Sequence, residues 1–253
     1  MIEFACPVCH NELDQYLKCT SMLCDFIGEF KDGLYHLHRN DETWQKCLGQ
    51  IEAVKRADIK FKEEYSNKKP PSNGNNINSL MFDKIMEILR DIKGMTFLEI
   101  GGQTGWATKK FISRGADLGV NLDITKENMS PTEDRYISVL GDGYYLPFAD
   151  KQFDFVFDCA ALHHFEDKVA MLKEARRVTK DGGFYVSQGN PPRDHEIDDD
   201  RKRYMDDFGL IETMPTQEEY EEYFLNSYKN INFVNVGTNM VMWAKKQEVH
   251  WVI

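Results

Sequence analysis

Four of the six cysteines fall in the first 24 residues, as Cys6-Pro7-Val8-Cys9 followed by Cys19 and Cys24. Two close thiol pairs, each on its own tight turn, suit a tetrahedral zinc site. Pro7 inside the first knuckle, and Gly28 and Gly33 after the second, favour short hairpins. A segment this small builds almost no core, so the metal is expected to be structural and to supply the folding energy. Four residues separate Cys19 from Cys24, longer than the usual two. That spacing leaves His10 or His36 open as a substitute ligand should either cysteine be only a buried thiol.

A second kind of chemistry is written into residues 96–108, Thr96-Phe97-Leu98-Glu99-Ile100-Gly101-Gly102-Gln103-Thr104-Gly105-Trp106-Ala107-Thr108. A buried strand carrying an acid runs through glycines into a helix that Thr104 could cap. Such a turn aims backbone N–H groups and the positive end of a helix dipole at one spot, which suits a phosphate or a carboxylate. The dinucleotide pattern Gly-x-Gly-x-x-Gly fails twice, because Gln103 takes its second glycine and Trp106 its third. Asp123, about twenty residues further on at a strand end, could accept both hydroxyls of a ribose or could cap the next turn. His163 and His164 are adjacent imidazoles. They could take a proton from a substrate hydroxyl or acidic carbon, or one of them could bind the backbone and shape a pocket.

The stretch Glu99-x-Gly101-x-Gln103-x-Gly105 resembles the E/D-x-G-x-G-x-G loop of class I S-adenosylmethionine (SAM)-dependent methyltransferases, with Gln103 in place of the middle glycine. Residues 141–154, Gly141-Asp142-Gly143-Tyr144-Tyr145-Leu146-Pro147-Phe148-Ala149-Asp150-Lys151-Gln152-Phe153-Asp154, resemble the G-D-x-x-x-L-P-F-x-D-x-x-F-D block of the group that includes quinone-biosynthesis C-methyltransferases. Every fixed position of that block is present. The resemblance implies that Asp142 accepts the adenine amino group, that the N–H of Gly143 faces the ring, and that Glu99, Gly101, Gly102, Gly105 and Asp123 hold the rest of the cofactor. Leu162-His163-His164 matches a family Leu-His-His in a loop facing the transferred methyl group, which adds Cys159 to the expected cofactor contacts. Cys6-Pro7-Val8-Cys9 is similar to the opening of a zinc-ribbon leader found ahead of some bacterial methyltransferases, and residues 30–37 would match its closing strand. Asn190-Pro191-Pro192 resembles an amino-methyltransferase motif but follows the wrong strand, and Arg193 replaces its aromatic, so the match is accidental.

These residues need a frame to hold them. Ile77, Leu80, Met81, Ile85, Ile88, Leu89 and Ile92 recur at helical spacing and predict an amphipathic helix ending at Gly94. Strands are expected over 96–100, 117–123, 137–140, 153–158 and 184–188, with helices over 106–113 and 167–178 between them. Phe233–Val236 and Met240–Ala244 read as a closing antiparallel pair. Upstream, residues 41–65 read as a helix with Trp44, Leu48, Ile51, Val54 and Ile59 on one face and Cys47 as packing. Residues 68–76 read as a linker that could also move over a ligand. The expected fold is α/β, a doubly wound Rossmann-like methyltransferase sheet with a small N-terminal four-cysteine zinc ribbon. Its expected boundaries are 1–36 for the ribbon, 37–76 for a helical connector and linker, and 77–253 for the SAM-dependent domain.

Charge narrows the partners. The chain has 253 residues, 42% apolar, with 42 Asp+Glu against 31 Lys+Arg. Residues 1–36 carry Lys18 and Lys31 against Glu3, Glu12, Asp14, Asp25, Glu29 and Asp32. Some ribbons of the similar group grip ribosomal RNA, but a gripping ribbon should be basic. This one is expected to be structural, a lid on the active site, or a contact for a protein partner. Asp198-Asp199-Asp200 and the glutamates of 218–222 read as solvated faces over an acceptor-covering segment, 190–230. No signal peptide and no apolar span of bilayer length is visible, so a cytoplasmic protein is expected. The resulting expectation is methyl transfer from SAM to a small molecule such as a sugar, lipid or secondary metabolite. The rivals are an rRNA or tRNA base methyltransferase and a non-catalytic binding module that kept the fold.

Overall fold

A computed structural model describes residues 2–42, 44–46, 48, 49, 52, 74–189, 215–237 and 239–247. Cys47, the apolar positions Ile51, Val54 and Ile59, the linker 68–73, the Asn190-Pro191-Pro192 motif and the 198–200 acid run lie outside them.

Among the described residues the strands form one nine-stranded sheet in the order β1-β2-β5-β4-β3-β6-β7-β9-β8. Its elements are β1 (Glu29–Lys31), β2 (Leu34–His36), β3 (Thr96–Ile100), β4 (Leu118–Asp123), β5 (Tyr136–Leu140), β6 (Phe153–Cys159), β7 (Thr179–Gln188), β8 (Ile231–Val236) and β9 (Asn239–Lys245). Strands β2 and β5 through β7 with β3 and β4 run parallel, while β1 and the β9–β8 pair are antiparallel. Helices α1 (Gly74–Leu89), α2 (Trp106–Ser113), α3 (Lys168–Val178) and α4 (Gln217–Leu225) cover its faces.

Alternate strand residues point to opposite faces, and that alternation builds two cores. Phe97, Phe155, Phe157 and Val186 meet Met81, Phe82 and Ile85 of α1 and Phe111 of α2. Leu98, Val156 and Tyr185 meet Met171, Leu172 and Ala175 of α3 and Tyr220 and Phe224 of α4. Phe111 is the hub of the first core, with four phenylalanine rings at 4.7–5.2 Å from its own.

Four local expectations need correction. Helix α1 starts at Gly74, so the last three residues of the compositional linker are helical, and it stops at Leu89 because Arg90 takes a φ of 62°. Residues 30–37 are not one closing strand but a hairpin: Asp32 (φ 55°) and Gly33 (φ 78°) make the two-residue turn between β1 and β2. Strand β7 begins at Thr179, directly after α3, because Thr179 ends the helix in an extended conformation; the Asp181-Gly182-Gly183 stretch lies inside the strand, where the pairing with β6 shifts register. Thr104 does not cap α2, as shown below.

The hairpin turns the leader into part of the sheet. Tyr35 and His36 pair with Val139 and Leu140 of β5, and Leu37 N–H continues the ladder to Leu140 O at 2.9 Å. A second tie joins Ala5 N–H to Pro147 O (3.1 Å) and Ala149 N–H to Glu3 O (3.0 Å). Among the described residues no helix is long and apolar enough to cross a membrane.

Candidate active site

The C-terminal ends of β3, β4, β5 and β6 lie side by side, since Ile100 pairs with both Leu122 and Asp158, and Asp123 pairs with Leu140. The register alone gathers Glu99, Asp123, Asp142 and the Cys159–His164 loop at one edge. This is where parallel α/β sheets place their ligand crevice.

The glycine turn leaves β3 at Gly101 and enters α2 at Gly105, the N-cap residue, whose φ of 67° is left-handed. A Cβ on Gly105 would sit 2.1 Å from the Tyr136 hydroxyl, so both conformation and space require glycine. No side chain at the cap position satisfies the first turn of α2. Glu99 does so from below: Thr108 N–H donates to its Oε2 at 2.8 Å, and the Thr108 hydroxyl donates to the same oxygen. Glu99 is wholly buried, and desolvation pushes its carboxyl up to about 7 despite those two bonds. Its Oε1 and the neighbouring Asn121 Oδ1 are both buried without a hydrogen-bond partner among the described residues.

Gln103 holds a left-handed φ of 43°, which glycine would adopt without strain. Both of its backbone groups are pinned: its N–H donates to Asp123 Oδ2 (2.9 Å), and its carbonyl accepts from Asn121 Nδ2 (3.0 Å). The residue itself is exposed. Asp123 also shows the turn-capping contact, with Oδ1 accepting from Thr125 N (2.8 Å) and Oγ1 (3.0 Å). Burial raises its carboxyl above the ordinary value. Asp142 is buried too, and its Oδ1 accepts from Tyr144 N at 2.9 Å. Burial is again the main cause of an upward shift.

After β6 the chain turns through Ala160 (φ 54°) into a 3-10 turn over Leu162–His164. His163 is buried, His164 is half-buried, and their ring centroids are 4.0 Å apart. Cys159 Sγ accepts from Gln188 Nε2 at 3.1 Å, and burial pushes its thiol up to about 12, which keeps it protonated and unlike an activated nucleophile. This loop touches the other two. A Cβ on Gly101 would meet Ala161 Cβ at 2.7 Å, and one on Gly143 would meet Phe165 Cζ at 2.6 Å.

A residue that sequence reasoning left out holds the histidine loop in place. Asp158, fully buried at the end of β6, accepts from Ala161 N (3.2 Å), Leu162 N (3.1 Å) and the Tyr185 hydroxyl (2.7 Å). Its signal was present, since it is one more acid at the end of an apolar strand. Lys168 adds a second hold, its Nζ donating to Phe165 O at 2.7 Å from a buried position.

The four leader cysteines converge, as the paired spacing suggested. Their Sγ atoms lie within 4.8 Å of one another, with Cys6–Cys24 at 3.6 Å and Cys9–Cys19 at 3.5 Å. A tetrahedron with Zn–S bonds of about 2.3 Å has edges of about 3.8 Å, so the donor set fits the ion. Val8 N–H points at Cys6 Sγ (3.4 Å) and Asn11 Nδ2 at Cys9 Sγ (3.3 Å), donors of the kind that support bound thiolates. His10 and His36 are not in this group.

Comparison with known proteins agrees with the geometry. Residues 98–187 match the methyltransferase domain family. The chain is 39% identical over 95 residues to the demethylmenaquinone methyltransferase of Corynebacterium glutamicum, covering 37% of this chain and 41% of that protein. It spans about half, or less, of the length of the curated relatives it matches. Among solved structures it resembles phosphoethanolamine N-methyltransferase 2 of Haemonchus contortus in complex with SAM (TM-score 0.58, 14% identity, 83% of this chain and 59% of that one). It also resembles a chain from the complex between the Haloferax volcanii Trm112 methyltransferase activator and a methyltransferase (TM-score 0.54, 19% identity, 67% and 95%). At these identities the structural likeness concerns the fold. Residues 98–187 thus match a methyltransferase domain, and the fold and the register of the sheet edge agree with that match.

Proposed function

We propose that this protein moves a methyl group from SAM to a small-molecule acceptor. The observation that carries the reading is the meeting of three loops at one sheet edge: the Gly101–Gly105 turn, the Asp142–Tyr145 turn and the Cys159–Phe165 loop, in contact through Gly101–Ala161 and Gly143–Phe165. Bound SAM would supply an activated methyl on a sulfonium.

The chain's own residues bind and orient. Asp142 accepts the adenine amino group and Asp123 the ribose; a backbone donor presets one carboxylate oxygen of Asp142, and backbone donors preset both oxygens of Asp123. Gly101, Gly102 and Gly105 let the backbone approach the amino-acid end, and Glu99 serves by fixing the turn through Thr108. Cys159 and Gly143 line the path between adenine and methyl. Direct displacement at carbon depends on in-line placement more than on acid or base, so the loop's first task is to position the acceptor. His163, the more buried ring, shapes that wall, and His164 is the base where the acceptor must lose a proton. An acidic chain with an acidic leader supports a small acceptor over RNA. The four cysteines hold a structural zinc, and the leader offers a protein contact: Met22 and Leu23 on its second knuckle are fully exposed, beside half-exposed Val8 on the first.

Calorimetric titration of the zinc-replete protein with S-adenosylhomocysteine, with NAD as control, tests the central claim. Saturable micromolar binding that NAD lacks and Asp142→Ala loses is expected. Absence of binding would favour the non-catalytic module, and strongly salt-dependent RNA binding would favour the base methyltransferase.

A further inference from the structure

Residues 37–46 link the leader to the cofactor edge. The chain leaves β2 beside β5, with Leu37 wholly buried against that strand's end, so it emerges at the edge where Asp142 sits. Two residues on, the Arg39 guanidinium lies 3.9 Å from the Tyr145 ring centroid and pairs with Asp41 at 2.5 Å. Asp41 in turn accepts Trp44 N–H at 3.1 Å, and buried Trp44 stacks on His38 at 4.0 Å and 8°. Lys46 then reaches Glu166, just past the histidine loop, at 2.6 Å.

The far end of the Arg39 contact is tied to the adenine loop. Tyr145 N–H donates to Asp142 O at 3.1 Å, and Tyr144 N–H donates to the Asp142 carboxylate at 2.9 Å. A guanidinium over the Tyr145 ring therefore restrains the turn that aims this carboxylate; on the carboxyl itself burial and Asp41 push upward and Arg39 downward, so the Arg39 contribution is one of position.

We propose that Arg39 is a positioning residue of the cofactor site, holding Tyr145 so that Asp142 is aimed at the adenine amino group, and that residues 37–46 thereby make the cysteine leader a wall of that site. The inference rests on the adenine role of Asp142 proposed above.

Its test measures discrimination rather than affinity alone. The full zinc-loaded chain is titrated with S-adenosylhomocysteine and with S-inosylhomocysteine, which has an oxo group where adenine has its amino group. Wild type should prefer the adenosyl ligand by about tenfold, the worth of one hydrogen bond to a charged group. Arg39→Ala should bring the two affinities to within about threefold, with zinc content unchanged, and Arg39→Lys, which keeps a cation over the ring, should recover part of the preference. Tyr145→Leu removes the other face of the stack and should reproduce the loss, which guards against an Arg39→Ala protein that fails to fold. Wild-type preference that survives both Arg39→Lys and Tyr145→Leu undiminished would overturn the inference alone. Parity in the wild type would refute the adenine role of Asp142 and the inference with it.

Discussion

Glu99 on β3 and Asn121 on β4 face each other across one register step, and each presents a buried acceptor oxygen with no partner among the described residues. Asn121 spends its amide protons on Gln103 O and the Tyr136 hydroxyl, so its Oδ1 lacks a donor that a protonated Glu99 can provide. The raised carboxyl, near 7, keeps a substantial protonated fraction at neutral pH. Glu99→Gln, which keeps the shape and supplies an N–H, should therefore bind S-adenosylhomocysteine within about threefold of wild type, as a calorimetric comparison would show. Loss of binding would mean that the charge itself contacts the ligand.

The same pair gives a pH signature. A carboxyl held near 7 in the fold and at its ordinary 4.5 when unfolded keeps its proton longer in the native state. Its contribution is fully present below pH about 4.5, declines as pH rises towards 7, and is flat above that. The size is roughly 3 kcal/mol at about 1.4 kcal/mol per unit. Denaturation midpoints of wild type minus Glu99→Gln, taken between pH 5 and 8, should fall across this window; a flat difference would assign Glu99 an ordinary carboxylate.

Gly102 packs where no side chain fits, since an added Cβ would lie 2.1 Å from Asn121 Oδ1 and 2.7 Å from Glu99 Cδ. Gly102→Ala must push apart the two strands' polar contact. It should cost about 2–4 kcal/mol, in line with overpacking plus a lost buried bond, and should abolish ligand binding in the same titration.

Asp158→Ala removes the acceptor shared by Ala161 N–H, Leu162 N–H and Tyr185 O–H and leaves three buried donors unpaired. We expect roughly 2–5 kcal/mol of lost stability in urea denaturation. Asp158→Asn, which keeps an acceptor for the two N–H groups, should lose less than half as much.

For the leader, elemental analysis should give one zinc per chain, and Cys19→Ser should remove it. Because β2 is hydrogen-bonded to β5, the loss should lower the thermal midpoint of the whole domain rather than melt a separate unit. A two-step melt with an unchanged main transition would show that the ribbon folds by itself.

What could be read from the chain follows from how local each signal is. The cysteine pairs, the glycine turn and the strand-end acids announce themselves within a few residues, and the structure brings each set together. Trp106–Ser113 is helical as its pattern required. The errors come from distant competition. Thr104 has the right chemistry to cap α2, yet Glu99, five residues earlier on the strand, takes the Thr108 N–H, because a buried acid needs donors more than an exposed threonine needs a role. The pairing of Tyr35 with Val139 joins segments about a hundred residues apart, and nothing local specifies it. The Asp32-Gly33 turn was a legible hairpin signal; the partner of that hairpin was not. Gln103 looked like a defect in the glycine loop, and only the structure shows Asp123 and Asn121 holding its backbone.

The hairpin of β1 and β2 also bears on how these molecules meet one another. Without it, the last strand on that side would be β5, whose Val139–Leu140 end would be open while Tyr136 and Ser138 already bond to Glu133 and Thr132. Such a border is a template for strands from other molecules. The hairpin replaces it with a border only three residues long, exposed throughout, and bearing Glu29 and Lys31 at its ends. The cysteine leader thus places a short, charged border where the Val139–Leu140 end of β5 would otherwise lie open.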